Sequence, residues 1–128
     1  MFSNTLEDLR REVSDFRNNR NWRAYHTPKN LAISIAIETA ELLENFQWKT
    51  DELIHKELKV ETRRKQVSDE IADIFIYCLS LCDVLEVDLG EIVRRKIRKN
   101  TKRYPVNALR KLSKSQRLGG EQTYELRS

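Results

Sequence analysis

The feature that most constrains the fold is a long helical segment from about residue 60 to residue 85. After Ile71, its apolar side chains recur in nearly every direction around a helix, rather than along one face. A helix of that kind needs cover on several sides, so we expect it in the middle of a bundle. The chain has only 3 Gly and 2 Pro, too few for the turns of a typical all-β fold. The sequence therefore predicts an all-α protein.

Shorter helical segments surround this central one. Residues 5–19 carry apolar side chains at helical spacing, which predicts an amphipathic first helix. Thr27 and Pro28 are typical of an N-cap and a first helical position, and the helix that they open should run to about residue 46 or 48. A further helix is predicted over roughly residues 89–103, and a short one is considered between the second helix and the central one. Four main helices are thus expected.

Length and charge favour one domain followed by a tail. A chain of 128 residues is about the size of a single domain, which we place at residues 1–104. Residues 105–128 hold five Lys or Arg against two Asp or Glu, so they are predicted to be a basic, flexible tail. With no apolar run near the roughly 20 residues that cross a bilayer, and no leader pattern, a cytoplasmic protein without a membrane partner is expected. Cys78 and Cys82, four apart in an apolar helix, are interpreted as small hydrophobic residues.

Two pairs of acidic residues stand out from this pattern. Glu38 and Glu41 lie three apart on the second helix, and Glu70 and Asp73 repeat the spacing on the central helix. Asp73 is flanked by apolar residues, and burying an unpaired carboxylate costs several kcal/mol. If the two edges face each other, the four carboxylates converge, and Mg²⁺ or Mn²⁺ would neutralise them. Spacing alone leaves Asp69 as another partner for Asp73.

The same residues also allow functions other than magnesium binding. A ferritin-like di-iron site would need two E-x-x-H motifs, and the chain has one, Glu52 to His55. A helical nucleic-acid-binding module could use the basic run at residues 91–104 together with the tail. A non-catalytic bundle could bind a metal for stability. On the last helix, Lys96 and Asn100 interrupt the apolar stripe, either as a snorkelling lysine and a local cap or as ligands of phosphate.

Four stretches carry a resemblance to a known family: NWRAYHTPKNL, ETAELLENFQWKTD, DEIADIFIYCLSL and VDLGEIVRRKIRKNTKRYP. Together, over roughly residues 5–105, they resemble the MazG-like all-α nucleoside triphosphate pyrophosphohydrolases, of the dCTP pyrophosphatase type. The resemblance implies a four-helix protomer in a homo-oligomer, specifically a tetramer. It also implies Mg²⁺-dependent cleavage of a nucleoside triphosphate to the monophosphate and pyrophosphate, with Mn²⁺ as a substitute and with no nucleic-acid partner.

The resemblance also implies roles for individual residues. Glu38, Glu41, Glu70 and Asp73 match the metal-binding acids and are our catalytic set, with Glu41 as the working choice of general base. Base contacts are implied for Trp22, Trp48 and Tyr77, and phosphate contacts for Lys96 and Asn100. The remaining substrate-binding residues that we predict are His26, Asn30, Arg103 and Tyr104. Val13 stands where some members have a histidine, so the preferred base does not follow from the resemblance.

Overall fold

The computed structural model describes residues 5–107. Within this range the regular secondary structure is helical and contains no strand, which confirms the all-α prediction. The helices are α1 (Leu6–Asn19), α2 (Pro28–Glu44), α3 (Asp51–Leu58), α4 (Glu61–Val84) and α5 (Leu89–Arg103), with a short 3₁₀ turn at Trp22–Ala24. No helix in this part of the chain is both long and apolar enough to cross a membrane. Of the predicted tail, residues 108–128 lie outside the described residues.

Threonine side chains begin three of the helices. Thr5, Thr27 and Thr50 each have extended backbone angles, and each hydroxyl accepts a hydrogen bond from the backbone N–H three residues later, at 3.2 to 3.3 Å. An N-cap of this kind stabilises a helix by about 1 kcal/mol. Pro28 follows Thr27 at the first position of α2, where a missing N–H costs nothing. These caps fix where α1, α2 and α3 begin.

The described chain divides into two compact units, the first ending at Leu89 and the second beginning at Gly90. In the first unit α1, α2 and α3 each pack against α4, so the predicted central helix is central there. The buried apolar side chains of this first unit are those of Leu31, Val67, Leu79 and Cys82. The second unit, considered by itself, contains nearly all of α5, and its side chains from Val93 onward are exposed.

Helix α2 presents a different face to the protein than its apolar pattern predicts. The inward side carries Leu31, Ser34, Ile35, Glu38, Leu42, Asn45 and Phe46. The spacing of apolar residues predicts Ala32, Ala36 and Leu43 on the core side of this helix, but all three are exposed, so that prediction was wrong. The polar stripe that includes Ser34 and Glu38, which pattern alone would leave in solvent, faces α4 instead, and an apolar stripe faces outward.

The central helix α4 is not covered on every side within one chain. Ile71 is 54% exposed, and Phe75 and Ile76 are 37% and 40% exposed. Asp73 is exposed as well, so the expectation that it is buried in this helix was wrong for the single chain. The physical reason is that α1, α2 and α3 pack against other sides of α4, which leaves this strip without cover.

Candidate functional site

Helices α2 and α4 bring three carboxylates together. Glu38 and Glu41 come from α2 and Glu70 from α4, and each offers an oxygen within 4.8 Å of the others. We call these three residues the acidic cluster. Glu38 and Glu70 are half-buried and Glu41 is exposed. The three-residue spacing on α2 places both of its acids on the edge that faces α4.

Two oxygens of the acidic cluster lack the partner that burial normally requires. Glu38 Oε2 and Glu70 Oε2 are buried without a hydrogen bond among the described residues. Burial, and then the neighbouring Glu41, raises the pKa of Glu38 to about 7. Burial and the charge of Glu41 also raise the pKa of Glu70. The cluster thus holds excess negative charge, and near neutral pH it tends to take up a proton when no cation is present.

The donor set of the acidic cluster fits a hard divalent cation. Carboxylate oxygens are the ligands that Mg²⁺, Mn²⁺ and Ca²⁺ prefer, and thiol and imidazole ligands are missing from the cluster. A bound cation would satisfy Glu38 Oε2 and Glu70 Oε2 and offset the burial and the repulsion that raise their pKa values. The residues present therefore fit a divalent metal.

An aromatic cavity of about 230 Å³ adjoins these acids. We call it the Trp22 cavity, and its lining is Phe16, Arg17, Trp22, His26, Glu38, Asp73, Ile76, Tyr77 and Ser80. The ring centroids of Trp22 and His26 are 5.8 Å apart, and those of His26 and Tyr77 are 6.5 Å apart. A cavity with flat rings on several sides and acids at its edge can hold a flat polar ring next to a charged group.

Several predicted site residues meet at this place. Four of them, Trp22, His26, Tyr77 and Asp73, line the Trp22 cavity, and Glu38 belongs to both the cavity and the acidic cluster. Asp73 is not part of the three-residue cluster, although its charge helps to raise the pKa of Glu38.

Other predicted residues lie elsewhere. Trp48 is 94% exposed, with a left-handed backbone angle (φ 65°) that is unusual for a large residue. Asn30 is exposed, and its side-chain amide donates to the Tyr25 carbonyl at 2.9 Å, closing the loop before α2. In the second unit the predicted phosphate contacts Lys96 and Asn100 are exposed, and so are the other predicted substrate-binding residues there, Arg103 and Tyr104.

A buried ion pair that was not predicted from the sequence lies next to the cavity. Arg17 is 3% exposed, and its guanidinium contacts both Asp83 Oδ2, at 3.2 Å, and His26 Nδ1, at 2.8 Å. Arg10 binds the other oxygen of Asp83 at 2.7 Å. The sequence does contain a pattern that indicates this ion pair, because Arg10, Ser14 and Arg17 follow helical spacing and Asp83 interrupts the apolar end of α4.

The matching family model and the similar proteins agree with one another. The MazG-like family model matches residues 33–117. dCTP pyrophosphatase 1 of Bos taurus is 39% identical over 106 residues, which cover 83% of this chain and 63% of that protein. The Homo sapiens protein of the same name is 36% identical over 110 residues, covering 86% of this chain and 65% of that protein. The chain thus spans less than two thirds of the length of these curated relatives.

A solved structure is also similar. The crystal structure of a pyrophosphatase from Archaeoglobus fulgidus superposes with a TM-score of 0.72 at 50% sequence identity. The superposition covers 78% of this chain and 92% of that chain. The helical arrangement described above therefore recurs in a protein that is similar along nearly all of its own length.

Proposed function

Because this chain belongs to the MazG-like family, we propose that it hydrolyses a nucleoside triphosphate to the monophosphate and pyrophosphate. The substrate that we propose is dCTP or a modified dCTP, and the role is removal of such nucleotides from the pool. The observation that carries this proposal is the pair of buried, unpartnered oxygens, Glu38 Oε2 and Glu70 Oε2, beside an aromatic cavity. The names of the relatives support the base and the leaving group.

The acidic cluster would hold Mg²⁺, with Mn²⁺ as a substitute. Glu38, Glu41 and Glu70 supply oxygens that converge, and we propose Asp73 as a fourth ligand once the site is assembled. When bound, such a cation neutralises phosphate oxygens and makes a bound water more acidic. The protein's own contribution is to fix the carboxylates on two packed helices, so that the charges are organised before the substrate arrives.

The side chains around the Trp22 cavity would bind the base. Trp22 and Tyr77 offer aromatic surfaces, and His26 offers a polar ring edge between them. A carboxylate of the acidic cluster can accept the proton of an attacking water, and we propose Glu41 for this role because it is the exposed member of the cluster. The roles of Trp48, Asn30, Lys96, Asn100, Arg103 and Tyr104 stay predictions from the sequence.

We also propose that the protein works as a homo-oligomer, specifically a tetramer. Helix α2 exposes Ile33 and Ile37, and α4 exposes Ile71 and Phe75. Leaving apolar stripes on two adjacent helices exposed to water is energetically unfavourable. Trp48, exposed almost completely, would also gain cover from a second copy.

The test is pyrophosphate release from a panel of deoxy- and ribonucleoside triphosphates, in Mg²⁺, in Mn²⁺ and in EDTA. We expect metal-dependent formation of the monophosphate, fastest with dCTP or a 5-substituted dCTP. Asp73→Asn and Glu38→Gln should each reduce the rate by about 100-fold or more. Glu44→Gln is the matched control, since Glu44 is an exposed acid of the same helix outside the cluster. Absence of turnover with every nucleotide would contradict the proposal and favour the nucleic-acid-binding alternative, which salt-dependent binding of DNA or RNA would then test.

A further inference from the structure

Arg17 connects an acid on α4 to the imidazole of His26. Its Nε–H donates to His26 Nδ1 at 2.8 Å, while its Nη1 donates to Asp83 Oδ2 at 3.2 Å. The Arg17 side chain is 3% exposed, and Arg10 binds the other oxygen of Asp83, Oδ1, at 2.7 Å. Because the guanidinium is planar and rigid, a bond at one edge fixes the direction of the bond at the other. The side chain that touches His26 is therefore oriented from α4.

The contact with Arg17 determines which nitrogen of His26 carries the proton. A guanidinium has donors and no acceptor, so Nδ1 of His26 must accept and is unprotonated. A neutral imidazole that accepts at Nδ1 carries its proton on Nε2. The ring is left with a hydrogen-bond donor on its free edge.

The charges around His26 act in opposite directions. Glu38 and Asp73 line the same cavity and favour a second proton on the ring. Burial, followed by the charge of Arg17, lowers the pKa of His26 and favours the neutral ring. A second proton would also place an N–H at Nδ1 against the Arg17 donor. Arg17 thus opposes the protonation that the neighbouring acids would otherwise promote.

We propose that Arg17 is a positioning residue that, tied to Asp83, holds His26 as an Nε2–H donor toward an acceptor atom of the nucleotide base. This inference rests on the proposed function and adds how the Trp22 cavity selects a base. Cytosine has acceptors at O2 and N3, whereas uracil and thymine carry an N–H at N3. A ring locked as a donor pairs with cytosine N3, and it meets the N3–H of the other two bases donor to donor.

The first experiment measures the protonation of the His26 ring directly in the wild-type chain. The ¹⁵N signals of the His26 ring are recorded at pH 7, with His55→Gln assigning the two histidines of the chain. We expect an unprotonated Nδ1 and a protonated Nε2. A proton on Nδ1, or a doubly protonated ring, would overturn the inference without any variant of Arg17.

The second experiment removes the contact. In Arg17→Met, the ring signals should shift toward a mixture of tautomers or toward the cation, and Arg17→Lys should restore part of the wild-type pattern. Arg10→Met is the matched control, because Arg10 also binds Asp83 but has no contact with His26. It should leave the His26 signals unchanged. Equal spectra for Arg17→Met and wild type would contradict the inference, and if Arg17→Met does not fold, the lysine variant and the wild-type spectrum decide.

The third experiment measures selectivity. The ratio of kcat/KM for dCTP to that for dUTP should fall about tenfold in Arg17→Met. The fall should come mainly from a higher KM for dCTP, with kcat within about twofold of wild type, and the ratio should not change in Arg10→Met. An unchanged ratio in Arg17→Met would overturn the base contact. If wild type turns over no nucleotide, the proposed function fails and the base contact with it, while the ring signals still show whether Arg17 fixes His26.

Discussion

Glu38 Oε2 and Glu70 Oε2 come from different helices, and both are buried without a hydrogen-bond partner in the described part of the chain. Leaving a buried acceptor unsatisfied costs about 1 to 3 kcal/mol, and more when the group is charged. The packing of α2 against α4 therefore includes an unfavourable contact that a cation would remove.

Adding Mg²⁺ should raise the melting temperature of the protein. A ligand present at 100 times its Kd stabilises the folded state by about 2.7 kcal/mol, which corresponds to a shift of several degrees or more. Glu38→Gln should abolish the shift, and in EDTA this variant should melt at or above the wild-type temperature, because the repulsion is gone. Glu44→Gln should behave like wild type in both conditions. A Glu38→Gln protein that keeps the full Mg²⁺ shift would contradict the metal assignment.

The metal-free protein should lose stability as the pH rises. The pKa of Glu38 is about 7 when folded, against an ordinary value of 4.5. Between these values the folded state binds more protons than the unfolded state, so the free energy of unfolding falls as pH increases from about 4.5 to 7 and levels off above that. Glu70 contributes with the same sign, since its pKa is also raised.

Urea denaturation in EDTA between pH 4.5 and 8.5 would measure this dependence. Glu38→Gln should flatten it, although the contribution of Glu70 stays. Glu57, whose pKa is lowered by its hydrogen bond to Lys49, acts in the opposite direction and mainly below pH 4.5. A urea midpoint that rises steadily from pH 4.5 to 7 would contradict the predicted loss of stability.

Asp83→Ala should destabilise the protein far more than loss of a typical surface acid. The change leaves Arg17, 3% exposed, as a buried charge without its carboxylate, and such losses cost about 3 to 5 kcal/mol. Glu57→Ala is the comparison. It also breaks a short ion pair, with Lys49 at 2.8 Å, but at a site with more solvent, so it should lower the urea midpoint far less. Urea midpoints of the two variants would measure the difference, and equal costs would argue against the importance of the Asp83 network.

Ile37→Lys should reduce the molar mass measured by light scattering. Ile37 is 53% exposed on the outward side of α2, and a charge placed there opposes burial against another copy. Leu85→Lys is the control, since Leu85 is equally exposed at 53% but lies just after the end of α4, about 20 Å from Ile71 along the helix axis. An assembly that survives Ile37→Lys unchanged would exclude this stripe from the interface.

The sequence predicts the helices well because their signals are local. The cap formed by Thr27 and Pro28 is a signal contained in two residues, and α2 begins where that cap predicts. The sequence predicts that Glu38 and Glu70 converge only on the condition that the two helix edges face each other, because the three-residue spacing places each acid on an edge but does not say which edges meet.

Which face each helix buries could not be predicted in the same way. The inward side of α2 includes Ser34, Glu38 and Asn45, and that of α1 includes Arg17. The hydrophobic pattern alone places such residues in solvent, because it does not include the partner across the interface that offsets the free-energy cost of burying them. Arg17 needs Asp83, which is 66 residues away in the chain, and no local rule links the two.

Glu38 belongs to both the acidic cluster and the Trp22 cavity. A change in its charge or position is therefore felt by whatever occupies either place. Thermodynamic reciprocity then requires that, if the cation changes the affinity for the nucleotide by some factor, the nucleotide changes the affinity for the cation by the same factor. One shared glutamate would thus couple the two binding events, so that the affinity for the nucleotide depends on whether the cation is bound.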